Sequence, residues 1–399
     1  MSVDGPMPAG KGESSAAMPT TMPAEGSARA VPSPLPLHYL GPVGSFTHQA
    51  AQNVALALAA VRASAVVRTP AVVRTPAAAH PGAASQDASS ALSRPEATDL
   101  VPCATAADIF AAVEAKRGLG VIALESNVEG YVTPNLDALI DSHDLVGIGR
   151  TAVSISFDAM ARAGHGRLRE ISAHPHGLAQ CKGFIDRAGL PTIPAVSNAA
   201  ACRDLKNDQI ALGPALCAEL YGLETLERGV QDYQGGRTEF LTIAPRSWLG
   251  ALSPFDGHDE FESIIAFIPL STGAGVLANL LDVLRDRGLN MTSFISRPIK
   301  GNDGTYSFIA TFDAAPWEPR FRAALREIVD HGDWVKTLAV YPRRERPDPP
   351  VESWMLPDGG VHVAPGALSA NGGDYTSGGG DAGAGPLAGR ELLWDGPSA

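Results

Sequence analysis

The stretch VIALESNVEGYVTPNLDALID (residues 121–141) decides how the rest of the chain is read. It opens within GLGVIAL (118–124), an apolar run that reads as a strand buried under helices. Glu125, Ser126 and Asn127 follow at the strand end, where open α/β sheets place their ligands. A plain surface-loop carboxylate is the other reading of Glu125. LHYL (37–40), LVGIGRTAVSI (145–155), QIALG (209–213) and EFLTIA (239–244) read as further strands. Helical patterns at 45–60, 104–116, 177–188, 198–207 and 214–222 lie between them. That alternation predicts an α/β domain over 37–245. Beyond it, 262–342 reads β-α-β-β-α-β, the ferredoxin-like split βαβ pattern.

The flanks differ in composition. Residues 1–36 are rich in Pro, Ala, Ser and Gly without periodicity, and 346–399 turns to Gly, Pro and Asp; both are expected to be disordered tails. Within 62–98 lies a tandem hexapeptide, AVVRTPAVVRTP (65–76), followed by an Ala/Ser/Pro run. Two copies cannot build a solenoid, so a low-complexity insertion in a surface loop is expected. The chain has 399 residues, 45% of them hydrophobic, enough for two or three domains. A formal net charge of −12, with no long basic run, argues against nucleic acid or anionic membrane as a partner. No stretch reaches the ~18 to 20 apolar residues of a membrane span, and MSVDGPMPAGKGESS lacks the apolar core of a secretory signal. A cytoplasmic protein is expected. Cys103, Cys181, Cys202 and Cys217 form no CxxC pair and read as reduced.

Three segments begin helices directly after a strand or turn. GPVGSFTHQAA (41–51) offers Ser45 and free N–H groups that suit an anion, or serve simply as a cap. SNAAACRDL (197–205) starts with Ser197 as an N-cap. SAHPHGLAQC (172–181) sets His174 and His176 around Pro175, but no carboxylate or cysteine lies at a matching spacing, so no metal site is expected. GGRTEF (235–240) carries a guanidinium, a hydroxyl and a carboxylate on successive residues Arg237, Thr238 and Glu239.

Taken in order, these segments resemble the prephenate dehydratase family over nearly all of 37–342. GPVGSFT stands for the family's G-P-x-G-[ST]-[FY]-[ST], ESNVEGYVTPNLDAL for E-N-S-x-x-G-x-V-x-x-T-L-D-L-L, AHPHGLAQC for S-H-P-Q-A-L-A-Q-C, SNAAAC for S-T-A-x-A-A, and GRTEF for N-x-T-R-F. GVLA (275–278) and NMTSFISRP (290–298) resemble the G-A-L-V and N-L-T-x-I-E-S-R-P segments of its ACT regulatory domain. The resemblance implies a two-lobed, periplasmic-binding-protein-like catalytic region with its site between the lobes. Lobe one would take 37–149 plus the return after about 229, and lobe two roughly 150–228. A ferredoxin-like ACT domain would follow. It implies prephenate as substrate, no cofactor, and a homodimer or homotetramer. Effector contacts would come from Gly275, Val276, Leu277, Asn290, Ser296 and Arg297.

Family dehydratases remove CO2 from the ring and expel the C4 hydroxyl, giving an aromatic product. The threonine of T-R-F, here Thr238, assists the hydroxyl, and the arginine suits a carboxylate. Here Glu239 replaces that arginine. A glutamate aimed at a dianion from ~4 Å would repel it by about 4 kcal/mol at a dielectric near 20. Arg237, two residues back on one strand face, can pair with it. Other polar positions also depart. The N-S pair is Ser126-Asn127, two threonines are Asn135 and Asn198, a serine is Ala173 and a glutamine is His176. A retained frame with altered polar groups resembles the prephenate decarboxylase branch, which keeps the hydroxyl and protonates a ring carbon for antibiotic biosynthesis. Glu239, Glu125 and His176 would then be the candidate acids, and Ser45, Ser126, Asn127, Asn135, His176, Ser197, Asn198 and Arg237 substrate contacts. Dehydration to phenylpyruvate is the alternative, since Thr238 survives. A non-catalytic amino-acid sensor is the alternative of another class. Ile295, in place of the glutamate of E-S-R-P, puts phenylalanine control in doubt.

Overall fold

The computed structural model describes residues 31–32, 34–68, 98–271, 273–299, 301, 304–343 and 355. The chain runs β1 (Leu37–Leu40), α1 (Phe46–Arg68), β2 (Leu100–Cys103), α2 (Ala106–Glu114), β3 (Leu119–Ser126), β4 (Gly130–Tyr131), α3 (Thr133–Asp141) and β5 (Leu145–Ser154). It crosses to β6 (Asp158–Arg162), β7 (Glu170–Ala173), α4 (Pro175–Gln180), α5 (Lys182–Ala188), β8 (Thr192–Pro194), α6 (Asn198–Arg203), β9 (Gln209–Gly213), α7 (Leu216–Tyr221) and β10 (Leu223–Glu227). It returns through β11 (Arg237–Pro245) and α8 (Leu249–Leu252). It ends in β12 (Phe261–Ile268), α9 (Val276–Asp286), β13 (Met291–Pro298), β14 (Tyr306–Phe312), α10 (Pro319–Asp330) and β15 (Trp334–Pro342).

Two sheets result. The smaller has the order β10-β6-β9-β7-β8, all from the segment between the two crossings. The larger has the order β13-β14-β12-β15-β5-β11-β3-β1-β2, with β4 against β3. Its β5, β11 and β3 are apolar on both faces because helices cover both. Phe240 packs with Ala50, Ala51 and Val54 of α1, while Leu241 and Ile243 pack with Ile109 of α2 and with Leu136 and Leu139 of α3. α2 carries a complete capping box between Thr105 and Asp108. The C-terminal βαββαβ segment has the strand order β13-β14-β12-β15, with α9 and α10 packed over Phe267, Phe312 and Ala310.

Several boundaries differ from the sequence reading. Leu35 is fully buried and Val31 packs beside it, so ordered structure begins before residue 37. α1 continues to Arg68, seven residues into the expected insertion, because no Gly or Pro interrupts it before Thr69-Pro70. The rest of the insertion, the tail up to residue 30, and the tail after 345 apart from Met355 lie outside the described residues.

Residues 37–245 and 262–342 read as separate blocks in sequence, yet they share the larger sheet through the parallel pairing of β15 with β5. Gly147 permits this, because a Cβ there would sit 2.7 Å from the Ala339 Cβ. Gly147→Ala is therefore expected to destabilise the chain by about 1 to 3 kcal/mol, read as a lower urea midpoint. An unchanged midpoint would show that the junction can open at no cost.

Candidate active site

Strand β11 settles which way each residue of GGRTEF points. It pairs with β3, placing Thr238 opposite Ser126 and Glu239 opposite Glu125. Alternation along β11 sends Thr238 to the α1 face with Phe240, and Arg237 and Glu239 to the opposite face with Leu241. On β3 the register shifts between Ala123 and Glu125, leaving Leu124 as an extra residue. That shift brings Glu125 onto the face of Glu239 instead of the face of Thr238.

The Glu239 face is an ion-pair cluster. Arg150 Nε donates to Glu239 Oε2 at 2.9 Å, Arg150 Nη1 to Glu262 Oε2 at 2.9 Å, and Arg237 Nη2 lies 2.5 Å from Glu239 Oε1. The Arg150, Glu239 and Glu262 side chains are 11%, 10% and 3% exposed, so these three are little screened by solvent, while Arg237 is 48% exposed. Burial works against the Arg150 charge, but Tyr341 and the two carboxylates outweigh it and hold the guanidinium protonated. The Arg150 guanidinium also lies over the Tyr341 ring, 5.7 Å from its centroid. The charge inversion at residue 239 is thus answered inside the protein. Glu239 lies on the face opposite Thr238, and both of its oxygens accept from guanidinium groups. The sequence reading expected Glu239 to confront the substrate; in the structure it faces Arg150 and Arg237.

Glu125 lies beside this cluster. Burial pushes its carboxyl up, Glu239 adds to the shift, and Arg150 and a hydrogen bond with Tyr131 oppose it. A carboxyl raised in the folded state favours folding below its unfolded value, near 4.3, and loses that contribution as pH rises through the folded value. Glu125→Gln is therefore expected to raise Tm at pH 7 relative to the parent chain, with the gain closing as pH falls to about 4. A Tm difference independent of pH would refute the assignment.

The Thr238 face holds the other expected residues of β3 and α1. Asn127 clamps the start of β11: its Nδ2 donates to Gly235 O at 3.0 Å and its Oδ1 accepts from Arg237 N at 2.7 Å. Ser126 Oγ accepts from Val128 N at 3.2 Å and closes the turn. Ser45 caps α1, accepting from His48 N at 3.1 Å, behind the left-handed Gly44 (φ 89°). The Thr238 hydroxyl carries no hydrogen bond among the described residues. Asn135 does not join this group. It lies on α3, donates to Ala123 O at 2.8 Å, and lines an open cavity between α2 and α3 with Phe110 and Asp141.

The smaller-sheet segment carries the remaining expected residues. Ser197 caps α6 by accepting from Ala200 N at 2.9 Å, and Asn198 Oδ1 accepts from His174 N at 2.9 Å. A Cβ on Gly177 would meet Asn198 Oδ1 at 2.4 Å, so the close packing of α4 on α6 needs glycine there. Contacts between the sheets are specific. Glu129 Oε2 lies 3.2 Å from His176 Nδ1, and Glu129 Oε1 accepts from Gln180 Nε2 at 2.7 Å. Tyr221 OH donates to Val43 O at 2.5 Å, and Phe46 meets Phe157 edge-on. His176 is therefore engaged by Glu129 across the junction. Among the described residues no three His, Cys, Asp or Glu side chains converge as metal ligands.

In the C-terminal segment, Gly275 (φ 91°) leads into Val276 and Leu277 at the start of α9. Asn290 Nδ2 donates to Asp313 Oδ2 at 2.6 Å. Ser296 is exposed on β13, but Arg297 is committed to a bidentate pair with Asp137 of α3, at 3.2 and 2.9 Å. Tyr131 OH donates to Ser293 Oγ at 2.7 Å. The sequence reading missed Arg150, Glu262, Tyr131, Ser293 and Glu129. Arg150 had a signal, because a lone charge within LVGIGRTAVSI must find a partner when the strand is buried.

Fold and site together define an α/β protein of the two-sheet kind, with polar groups gathered where the sheets meet. A family model described as prephenate dehydratase matches residues 79–247. The chain is 30% identical over 314 residues to the prephenate dehydratase of Amycolatopsis methanolica, covering 77% of this chain and 88% of that protein. It is 29% identical over 249 residues to the bifunctional chorismate mutase/prephenate dehydratase of Aquifex aeolicus (strain VF5), covering 61% of this chain and just under two thirds, 66%, of that one. The solved prephenate dehydratase of Arthrobacter aurescens in complex with L-Phe matches with TM-score 0.57 at 23% identity, covering 83% of this chain and 94% of that chain, a likeness of fold. The chain belongs to the prephenate dehydratase family. Among its described residues no helix is long and apolar enough to cross a membrane.

Proposed function

We propose that the chain converts prephenate to phenylpyruvate at the junction of the two sheets. The ring carboxylate leaves as CO2, the released electron pair shifts through the ring, and the C4 hydroxyl departs with a proton as water. The single observation that carries this reading is the position of Thr238. Its hydroxyl is free, on the face of β11 shared with Ser126 and the start of α1, while Glu239 is turned away and neutralised. Thr238 would donate to the departing hydroxyl. The α1 N-terminus at Ser45 would meet a substrate carboxylate, while Arg237, on the Glu239 face, stays paired with Glu239. Ser197, Asn198 and His176 would line the facing wall, with Asn127 and Ser126 shaping the strand end. In the same reading 37–245 is the catalytic part and 262–342 an ACT domain, with an effector at the α9 start and β13, in a homodimer or homotetramer.

A second reading, loss of CO2 with the C4 hydroxyl kept and a ring carbon protonated, has one observation in its favour. Glu125 is an acid held toward its protonated form, one residue from Ser126. Its place on the Glu239 face makes this the second choice. Incubation with prephenate, followed by mass and ultraviolet analysis against a no-protein control, separates the readings, because the two products differ by one water. Phenylpyruvate is the expected product. A water-retaining, non-aromatic product would overturn the first reading for the second, and no turnover would favour a sensor.

A further inference from the structure

We propose that Arg150 is a positioning residue for the Thr238 hydroxyl, acting by tying β11 to the first strand of the C-terminal sheet segment. The inference rests on Thr238 being the group that meets the departing hydroxyl.

Arg150 sits on β5, between β11 on one side and β15 then β12 on the other. Its guanidinium reaches both ways, to Glu239 of β11 and to Glu262 of β12, so one side chain spans four neighbouring strands. The backbone link beside it is thin: β15 and β5 share the single registered pair Ala339–Gly147. Toward the Thr238 end, β11 is bordered by Ser154 at the end of β5 and Ser126 at the end of β3. Two side chains anchor this end: Asn127 clamps the backbone at Gly235 and Arg237, and Glu239, next to Thr238, holds the strand from the opposite face. Holding Glu239 sets the roll of the strand about its axis, and the roll sets where the Thr238 Oγ1 points. Only a planar fork with N–H groups in two directions can serve both carboxylates at once. A lysine keeps the charge but not the fork.

The test uses the full chain with Arg150→Lys and, separately, Glu262→Gln, which leaves the Arg150–Glu239 pair in place. Two readouts are taken: kcat and KM for prephenate, and backbone hydrogen exchange of peptides covering 237–241. Arg150→Lys is expected to lower kcat by about tenfold with KM within about twofold, since a small misplacement at the reacting centre costs rate before binding. Exchange at 237–241 is expected to speed up. Glu262→Gln is expected to shift both in the same direction by less. Parent values of kcat and exchange in Arg150→Lys would overturn the proposal, as would a KM rise with kcat unchanged. If Arg150→Lys does not fold, Glu262→Gln decides by the same criteria. If the parent chain gives no product from prephenate, the functional reading falls and this proposal falls with it, whereas a parent that turns over beside an unaffected Arg150→Lys overturns the proposal alone.

Discussion

Thr238→Val is expected to lower kcat for prephenate by about 100- to 1000-fold while leaving KM within about threefold. The substitution removes one hydrogen-bond donor aimed at a leaving oxygen and almost nothing else. Losing a single such donor typically costs about 3 to 4 kcal/mol of transition-state stabilisation. Valine matches threonine in shape and in β preference, and the Thr238 hydroxyl has no partner within the described protein to leave orphaned, so the fold should be intact. Thr238→Ser keeps the hydroxyl and should retain most of the rate. Full turnover by the valine variant would remove Thr238 from the chemistry. Continued loss of CO2 with a water-retaining product would show that Thr238 selects the outcome without being needed for decarboxylation.

Glu239→Arg is expected to destabilise the chain by about 3 to 5 kcal/mol, the usual cost of breaking a buried ion pair and leaving its charges unpaired. A third guanidinium would then join Arg150 and Arg237 at the place where both now find an acceptor. The double reversal Arg150→Glu with Glu239→Arg should recover at least half of that loss, because the pair re-forms with polarity exchanged. The remainder reflects Glu262, which would face a carboxylate instead of a guanidinium. Urea unfolding of the parent, both single variants and the double closes the cycle. Additive single effects would mean that residues 150 and 239 do not act as a pair, and the reading of Glu239 as internally neutralised would fail.

Much of the site was legible as a set of motifs, less so as a set of roles. Thr238, Ser126, Asn127 and Ser45 were named from sequence, and the structure gathers them near one face. Asn198 and His176 were named as substrate contacts. Asn198 also accepts from the His174 N–H, and His176 engages Glu129 across the sheet junction. Asn135 was named too, but α3 carries it to the cavity beside α2. Glu239 was the least legible of these residues. Its charge was plain, but the sign of a charge carries no information about which neighbours surround it. Arg150 is 89 residues away in the chain, and Glu262 is 112 residues from Arg150.

The sequence by itself determined what depends on local pattern. The alternation of apolar strands and helical segments set the α/β class. The βαββαβ order of 262–342 followed from periodicity, and the cap at Ser197 from its residue type. Each is decided by interactions among residues close in the chain. Only the tertiary structure decided the face on which each polar side chain lies, and with it the meaning of GGRTEF. One extra residue on β3 places Glu125 with Glu239 instead of with Thr238. The glycine at 147 lets the C-terminal strands join the larger sheet and bring Glu262 to Arg150. Strand register is set by pairing between distant segments. A shift of one residue exchanges the two faces of a strand without changing any local propensity.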